Sequence, residues 1–126
     1  MRDFHTLKVW AKAHQFVLGL YRVTAEFPPA EMYGLTRQLR RAGVSIPANI
    51  AEGCGRNTRI EFARFLHIAM GSASETQYHL LLTQSLEFLK TSDYERLEAQ
   101  VIEIKRMLTS LIRKLTPPSP RLTADS

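Results

Sequence analysis

Cysteine is nearly missing from this chain: Cys54 stands alone among 126 residues. No internal disulfide can form, which fits a reducing compartment, and the expectation is a cytoplasmic protein. Long apolar runs are missing too, since none approaches the ~20 residues a bilayer-spanning helix needs. The opening MRDFHTLKVW has no apolar stretch of secretory type and carries Asp3 early, which argues against an export signal. Strand-like alternation is almost absent. Charge is uneven without being extreme: 17 Lys+Arg against 12 Asp+Glu leave +5 and a pI of about 9.7. Such a balance draws anionic partners by long-range attraction but does not require one. What is present is ordinary for a globular chain, with 44% hydrophobic and 23% charged residues, and this excludes global disorder. The length corresponds to one domain able to bury roughly two thirds of its unfolded surface.

Helical periodicity dominates. Over about Thr6–Glu26, the residues Val9, Ala13, Phe16, Val17, Leu20 and Tyr21 fall on one stripe at i, i+3, i+4 spacing. Phe27-Pro28-Pro29 ends that helix, because a residue before proline is pushed out of the helical region. A second segment, about Ala30–Gly53, contains Pro47, whose ring crowds the carbonyl of Gly43 and which has no N–H to give it. Either one kinked helix or two short ones results. Leu35, Leu39 and Ala42 before the proline and Ile50 after it favour the kink. Gly53 and Gly55 are expected to stop the helix where positive φ costs little. Thr58 with Glu61 forms a capping box for a third helix running to about Leu89, and Ser92 with Glu95 is expected to form another. In the third helix, the small residues from Ala69 to Ser74 let a neighbour approach closely. In the fourth, Tyr94, Leu97, Val101, Ile104, Leu108, Leu111 and Leu115 make a coiled-coil-like seam. Ile102, Met107 and Ile112 lie beside that seam as surplus apolar surface. Short connections predict an all-α, antiparallel up-down-up-down four-helix bundle over residues 1–116, with helix 2 kinked at Pro47. Pro117, Pro118 and Pro120 open a tail, 117–126, expected to be disordered.

Sites of chemistry are scarce. None of His5, His14, His67 and His79 has a glutamate three residues earlier, as a di-iron bundle would require, and Glu75/His79 is a spacing typical of surface helix pairs. Cys54 lies at a helix C-terminus, whose negative dipole end disfavours a thiolate. Gly53-Cys54-Gly55-Arg56 lacks the preceding strand and the further motif residues of a phosphate loop. Asn49 and Glu52 have no evident acid–base partner and can cap backbone or pair with Arg56. No catalytic residue, metal ligand or cofactor is expected. What stands out is the stretch 33–56, YGLTRQLRRAGVSIPANIAEGCGR. Arg37 and Arg41 share one helical face with Arg40 adjacent. Like charges at that spacing repel by a few tenths of a kcal/mol. They either meet acids on another helix, as a solvated salt-bridged face, or present a cationic surface to which Arg56 adds. Aromatic residues interleaved with exposed basic ones, the mark of single-strand stacking, are not evident; Tyr33 is the one nearby candidate.

The runs FHTLKVWAKAHQFVLGLYRVT, FPPAEMYGLTRQLRRAGVSIPANIAEGCGR and EFARFLHIAMGSASETQYHLL resemble the 23S rRNA intervening-sequence proteins over about residues 4–115. The most specific parts are YGLTRQLRRAGVSIPANIAEG at 33–53 and EFARFLHIAMGSASE at 61–75. The resemblance implies a small cytosolic bacterial four-helix bundle with no established enzymatic activity, from a family with some members encoded inside insertions in 23S rRNA genes. That family is also similar to the accessory variability proteins of diversity-generating retroelements, which are basic pentameric barrels that bind nucleic acid and a reverse transcriptase. By the same resemblance, this chain is expected to be a homo-oligomer, a pentamer; the lack of a long apolar run leads to the expectation of no membrane partner. The functional expectation is a non-enzymatic oligomeric bundle whose basic face, with Arg37, Arg40, Arg41 and Arg56, contacts RNA or DNA. The competing expectation is a protein-interaction scaffold that touches no nucleic acid.

Overall fold

In the computed structural model, which describes residues 2–116, the helical periodicities become four helices: α1 (Lys8–Thr24), α2 (Leu35–Cys54), α3 (Arg59–Ser85) and α4 (Thr91–Leu115). The tail expected at 117–126 lies outside the described residues. Short 3-10 turns at Phe4–Thr6 and Pro29–Glu31 precede α1 and α2. The described residues contain no strand. Each helix packs against two others, α1 against α2 and α4, and α3 against α2 and α4. The edge formed by α1 and α2 therefore lies across the bundle from the edge formed by α3 and α4.

Side-chain and backbone pairs set the order along the axis. Arg40 near the start of α2 bonds Thr24 at the end of α1, and the amide of Arg2 donates to the carbonyl of Cys54 at the end of α2. The Ser45 and Ser72 hydroxyls meet at 2.8 Å across α2 and α3, and Lys105 Nζ donates to Gln77 Oε1 at 3.1 Å across α4 and α3. Phe16, Leu20, Leu39, Ile46, Ile50, Phe62, Leu66, Leu80, Leu97, Ile104 and Leu108 fill the centre, fully buried. Each such side chain contributes about 1.5–3 kcal/mol through its removal from water.

Helix ends depart from the sequence expectation in instructive ways. The segment from Ala30 does not join α2, because Pro29–Glu31 closes as a 3-10 turn and Gly34 becomes the N-cap of Leu35. α2 then runs unbroken through the buried Pro47, so the pair of short helices is not adopted. The glycine stop works differently from the expectation. Gly53 lies inside α2, Gly55 has φ of −80°, and no glycine among the described residues has positive φ. Gly53 is instead a point of close approach: a β-carbon there would stand 2.8 Å from Phe65 Cβ and 3.1 Å from Phe62 Cδ1.

Thr58 does cap α3, its hydroxyl accepting from the Glu61 amide at 3.1 Å. α3 ends at Ser85, short of Leu89. Phe88 N–H reaches the Thr83 carbonyl and Glu87 N–H the Gln84 carbonyl, each at 3.0 Å, with Glu87 at φ 66°. This is a Schellman closure with glutamate where glycine is usual. Buried Leu89 then leaves only Lys90 before α4, so Ser92 falls inside the first turn and the expected Ser92/Glu95 box does not form. Asp93 supplies the negative charge at that helix start and pairs with Arg96 at 3.0 Å. Of the three apolar residues beside the α4 seam, Met107 and Ile112 pack partly against the core and only Ile102 is exposed.

Candidate nucleic-acid interface

The first turns of α2 carry Arg37, Arg40, Arg41 and Val44 at the three- and four-residue spacings that share a helix face. The turn before them leaves Met32 exposed and Tyr33 86% exposed. Across from this face lies Tyr21, from the last turn of α1. Together these side chains border an open depression of about 470 Å³ between α1 and α2.

The three arginines do not have the same job. Arg40 is half-buried and fastens α1 to α2: its Nε donates to Thr24 Oγ1 at 2.8 Å, and its Nη2 donates to the Tyr21 carbonyl at 3.4 Å. Thr24 in turn donates to the Leu20 carbonyl at 2.8 Å. A cation at these last-turn carbonyls also suits the negative end of the α1 dipole. The Arg40 guanidinium lies over the Tyr21 ring, 4.4 Å from its centroid, making a guanidinium–phenol plate in the wall of the depression. Arg37 and Arg41 are exposed and belong to none of the ion pairs found among the described residues.

Arg56 is elsewhere. Its position fifteen residues after Arg41 corresponds to roughly 22 Å along a helix. Its Nη2 donates to Glu52 Oε1 at 3.2 Å and its guanidinium covers the Phe65 ring at 4.6 Å. Arg37, Arg40 and Arg41 thus share a site, and Arg56 does not join it. Asn49 also stays local, donating to the Ser45 carbonyl at 2.8 Å.

Sequence reading missed Tyr21 as a site residue, because its spacing places it on the apolar stripe of α1. In the fold it sits at the edge of that stripe, 42% exposed, under Arg40. A tyrosine at the rim of a helical stripe, opposite an arginine-rich helix start, was the available signal. Its partner could be known only once α1 and α2 were docked.

Other chemistry is sparse. Burial raises the Cys54 thiol pKa, with the Arg2 charge opposing more weakly, so the thiol stays protonated and buried. His79 and Glu75 form a 3.3 Å pair on α3. Among the described residues no cluster of three or more His, Cys, Asp or Glu side chains is placed to hold a metal ion. No described helix is long and apolar enough to cross a membrane.

Two comparisons bear on lineage. The model of the family described as 23S rRNA-intervening sequence protein matches residues 5–110. A crystal structure from Bacteroides thetaiotaomicron, a protein with unknown function from the S23 ribosomal protein family, is similar with a TM-score of 0.74 and 31% sequence identity. The match covers 82% of this chain and 97% of that one. Among curated proteins none matches. With the family model spanning most of its length, the chain belongs to the 23S rRNA-intervening sequence protein family.

Proposed function

We propose that this protein is a non-enzymatic helical bundle that binds RNA or DNA and works as a homo-oligomer. One observation carries the nucleic-acid reading: two exposed, unpaired arginines, Arg37 and Arg41, border the same depression as the exposed Tyr33 ring and the Tyr21–Arg40 plate. Cations hold phosphates and aromatic faces stack bases, a combination suited to single strands and largely indifferent to sequence. Repeating the depression on several copies would multiply weak contacts through avidity. The family's link to 23S rRNA intervening sequences agrees with an RNA ligand.

The arrangement also says which variant tests it. Arg40 bonds Thr24, so its removal would confuse binding with stability, whereas Arg37 and Arg41 can be changed without breaking any bond. Fluorescence anisotropy with a single-stranded RNA at about 50 mM salt should show binding that weakens by orders of magnitude near 200 mM if several phosphates are contacted. Arg37→Glu/Arg41→Glu should lose that binding with helicity unchanged. Light scattering on the same samples should give a mass several times 14.4 kDa for both proteins. A folded double variant that binds as well as its parent overturns the assignment of the site, and a monomeric parent overturns the oligomer.

A second reading, a protein scaffold without nucleic acid, has its own observation. Tyr78 and Leu81 are exposed beside a shallow α3–α4 depression, and Ile102 is exposed on α4. Contacts of that kind respond little to salt, so the salt series separates the two readings.

A further inference from the structure

Charge is not spread evenly along this bundle, and its positive end is not the end that holds the arginine groove. The start of α1, the end of α2, the start of α3 and the end of α4 come together at one end of the axis. This half comprises residues 2–14, 48–69 and 103–116, with ten lysines and arginines against four acids. The other described half, 15–47 and 70–102, has six against seven.

Pairing sharpens the contrast. All four acids of the positive half are already engaged: Asp3 with His5, Glu52 with Arg56, Glu61 with Arg64 and Glu103 with Arg106. Arg59, Arg113 and Lys114 have no acidic partner among the described residues. All three are exposed and line one open depression of about 600 Å³ between the start of α3 and the end of α4. Arg113 and Lys114 also line the adjoining one.

Helix stability accounts for only part of this. Arg113 and Lys114 sit in the last turn of α4, where the dipole welcomes cations. Arg59 opens α3, at the positive end of its dipole, where a cation is disfavoured. Three cations that border one open depression without an acidic partner among the described residues, one of them at the wrong end of a helix, suit an anion that spans them. Ile60 is 82% exposed beside them, but no exposed aromatic ring lines the depression.

We infer that Arg59, Arg113 and Lys114 form a second nucleic-acid contact that grips the phosphodiester backbone alone, as in a duplex. This rests on the reading of the protein as a nucleic-acid binder, but not on the arginine groove. The groove lies on the α1–α2 edge and this surface on the α3–α4 edge, so the two act independently, one stacking bases and one holding phosphates.

A salt titration of a duplex RNA of mixed sequence and a single-stranded RNA tests this, with two variants of the full chain. Arg59→Gln/Arg113→Gln/Lys114→Gln replaces exposed side chains that hold no ion pair, and unchanged circular dichroism would confirm folding. If each cation contacts one phosphate, the triple variant lowers the slope of log K against log salt for the duplex by about 2.7, at 0.9 per phosphate. Arg37→Gln/Arg41→Gln should mainly weaken the single strand. Duplex binding by the triple variant with the parent's affinity and slope overturns the inference while leaving the groove reading intact. Loss of duplex binding in the triple variant, with an unaffected groove variant on both probes, supports the inference and overturns the groove. A parent that binds neither probe at about 50 mM salt overturns both.

Discussion

On its inner side, α2 has no room for a β-carbon at Gly53, where one would stand 2.8 Å from Phe65 Cβ, while on its outer side Arg37, Arg41 and Val44 border an open depression. The same helix therefore meets two kinds of constraint. Inside, the α2–α3 contact is set by atoms that cannot move apart without losing buried packing, and even the polar residues are used within it. The Ser45 and Ser72 hydroxyls meet there at 2.8 Å. Outside, side chains keep their charge and freedom. Arg40 stands between the two regimes, with its guanidinium at the rim and its bonds turned toward α1. The lesson is that a row of arginines on one helix need not be one functional unit.

Breaking the inner side should have the largest effect. Gly53→Val would push a branched side chain into Phe62 and Phe65, and overpacking of this kind costs about 1–3 kcal/mol, occasionally more. Urea denaturation should show it as a large fall in midpoint; a midpoint within experimental scatter of the parent would mean that α2 and α3 are not so closely docked at Gly53.

The contrast among the arginines is smaller and sharper. Arg40→Ala removes a hydrogen bond from a charged donor to buried Thr24, worth about 1–2 kcal/mol after allowing for its partial exposure. Arg41→Ala breaks no side-chain hydrogen bond or ion pair among the described residues and should stay within about 0.5 kcal/mol of the parent. Equal losses in the two variants, measured by thermal unfolding, would erase the distinction between anchor and free cation.

The smallest expected effect has the opposite sign. Gly71 lies in the middle of α3, where a β-carbon would meet nothing within 4 Å. Gly71→Ala should raise stability by about 0.5–1 kcal/mol, because a glycine inside a helix carries an entropic cost and here no packing need offsets it. A loss would show that a partner copy or ligand occupies that space under the conditions used.

Gly53 and Gly71 also mark how far the amino-acid order can be read. Both are glycines inside helices, and local order does not say which has room for a β-carbon: Gly53 faces Phe62 and Phe65 of α3, whereas Gly71 faces nothing within 4 Å. The small stretch from Ala69 to Ser74 reads as one close-approach surface, yet Ala69 and Ala73 are buried and Ser72 bonds across to Ser45, while Gly71 faces outward. Ser92 and Thr58 show the same limit for caps. Each begins an identical Ser/Thr-x-x-Glu pattern, but buried Leu89 draws α4 into register before Ser92 can cap it.

What the sequence determined by itself was whatever depends on neighbours three or four residues away. Periodicity set the all-α class, the number of helices and most of their buried faces, and Thr58 set the start of α3. The grouping of Arg37, Arg40 and Arg41 was legible for the same reason. Tertiary structure alone decided that Tyr21 from α1 borders the same depression, that Arg40 is tied to Thr24 and that Arg56 stands apart. It likewise decided that Arg59, from the start of α3, borders the same depression as Arg113 and Lys114 from the end of α4, more than fifty residues away in the chain. Helix formation is governed by hydrogen bonds to the fourth residue along, whereas a site is assembled from side chains that only the docking of whole helices brings within a few ångströms.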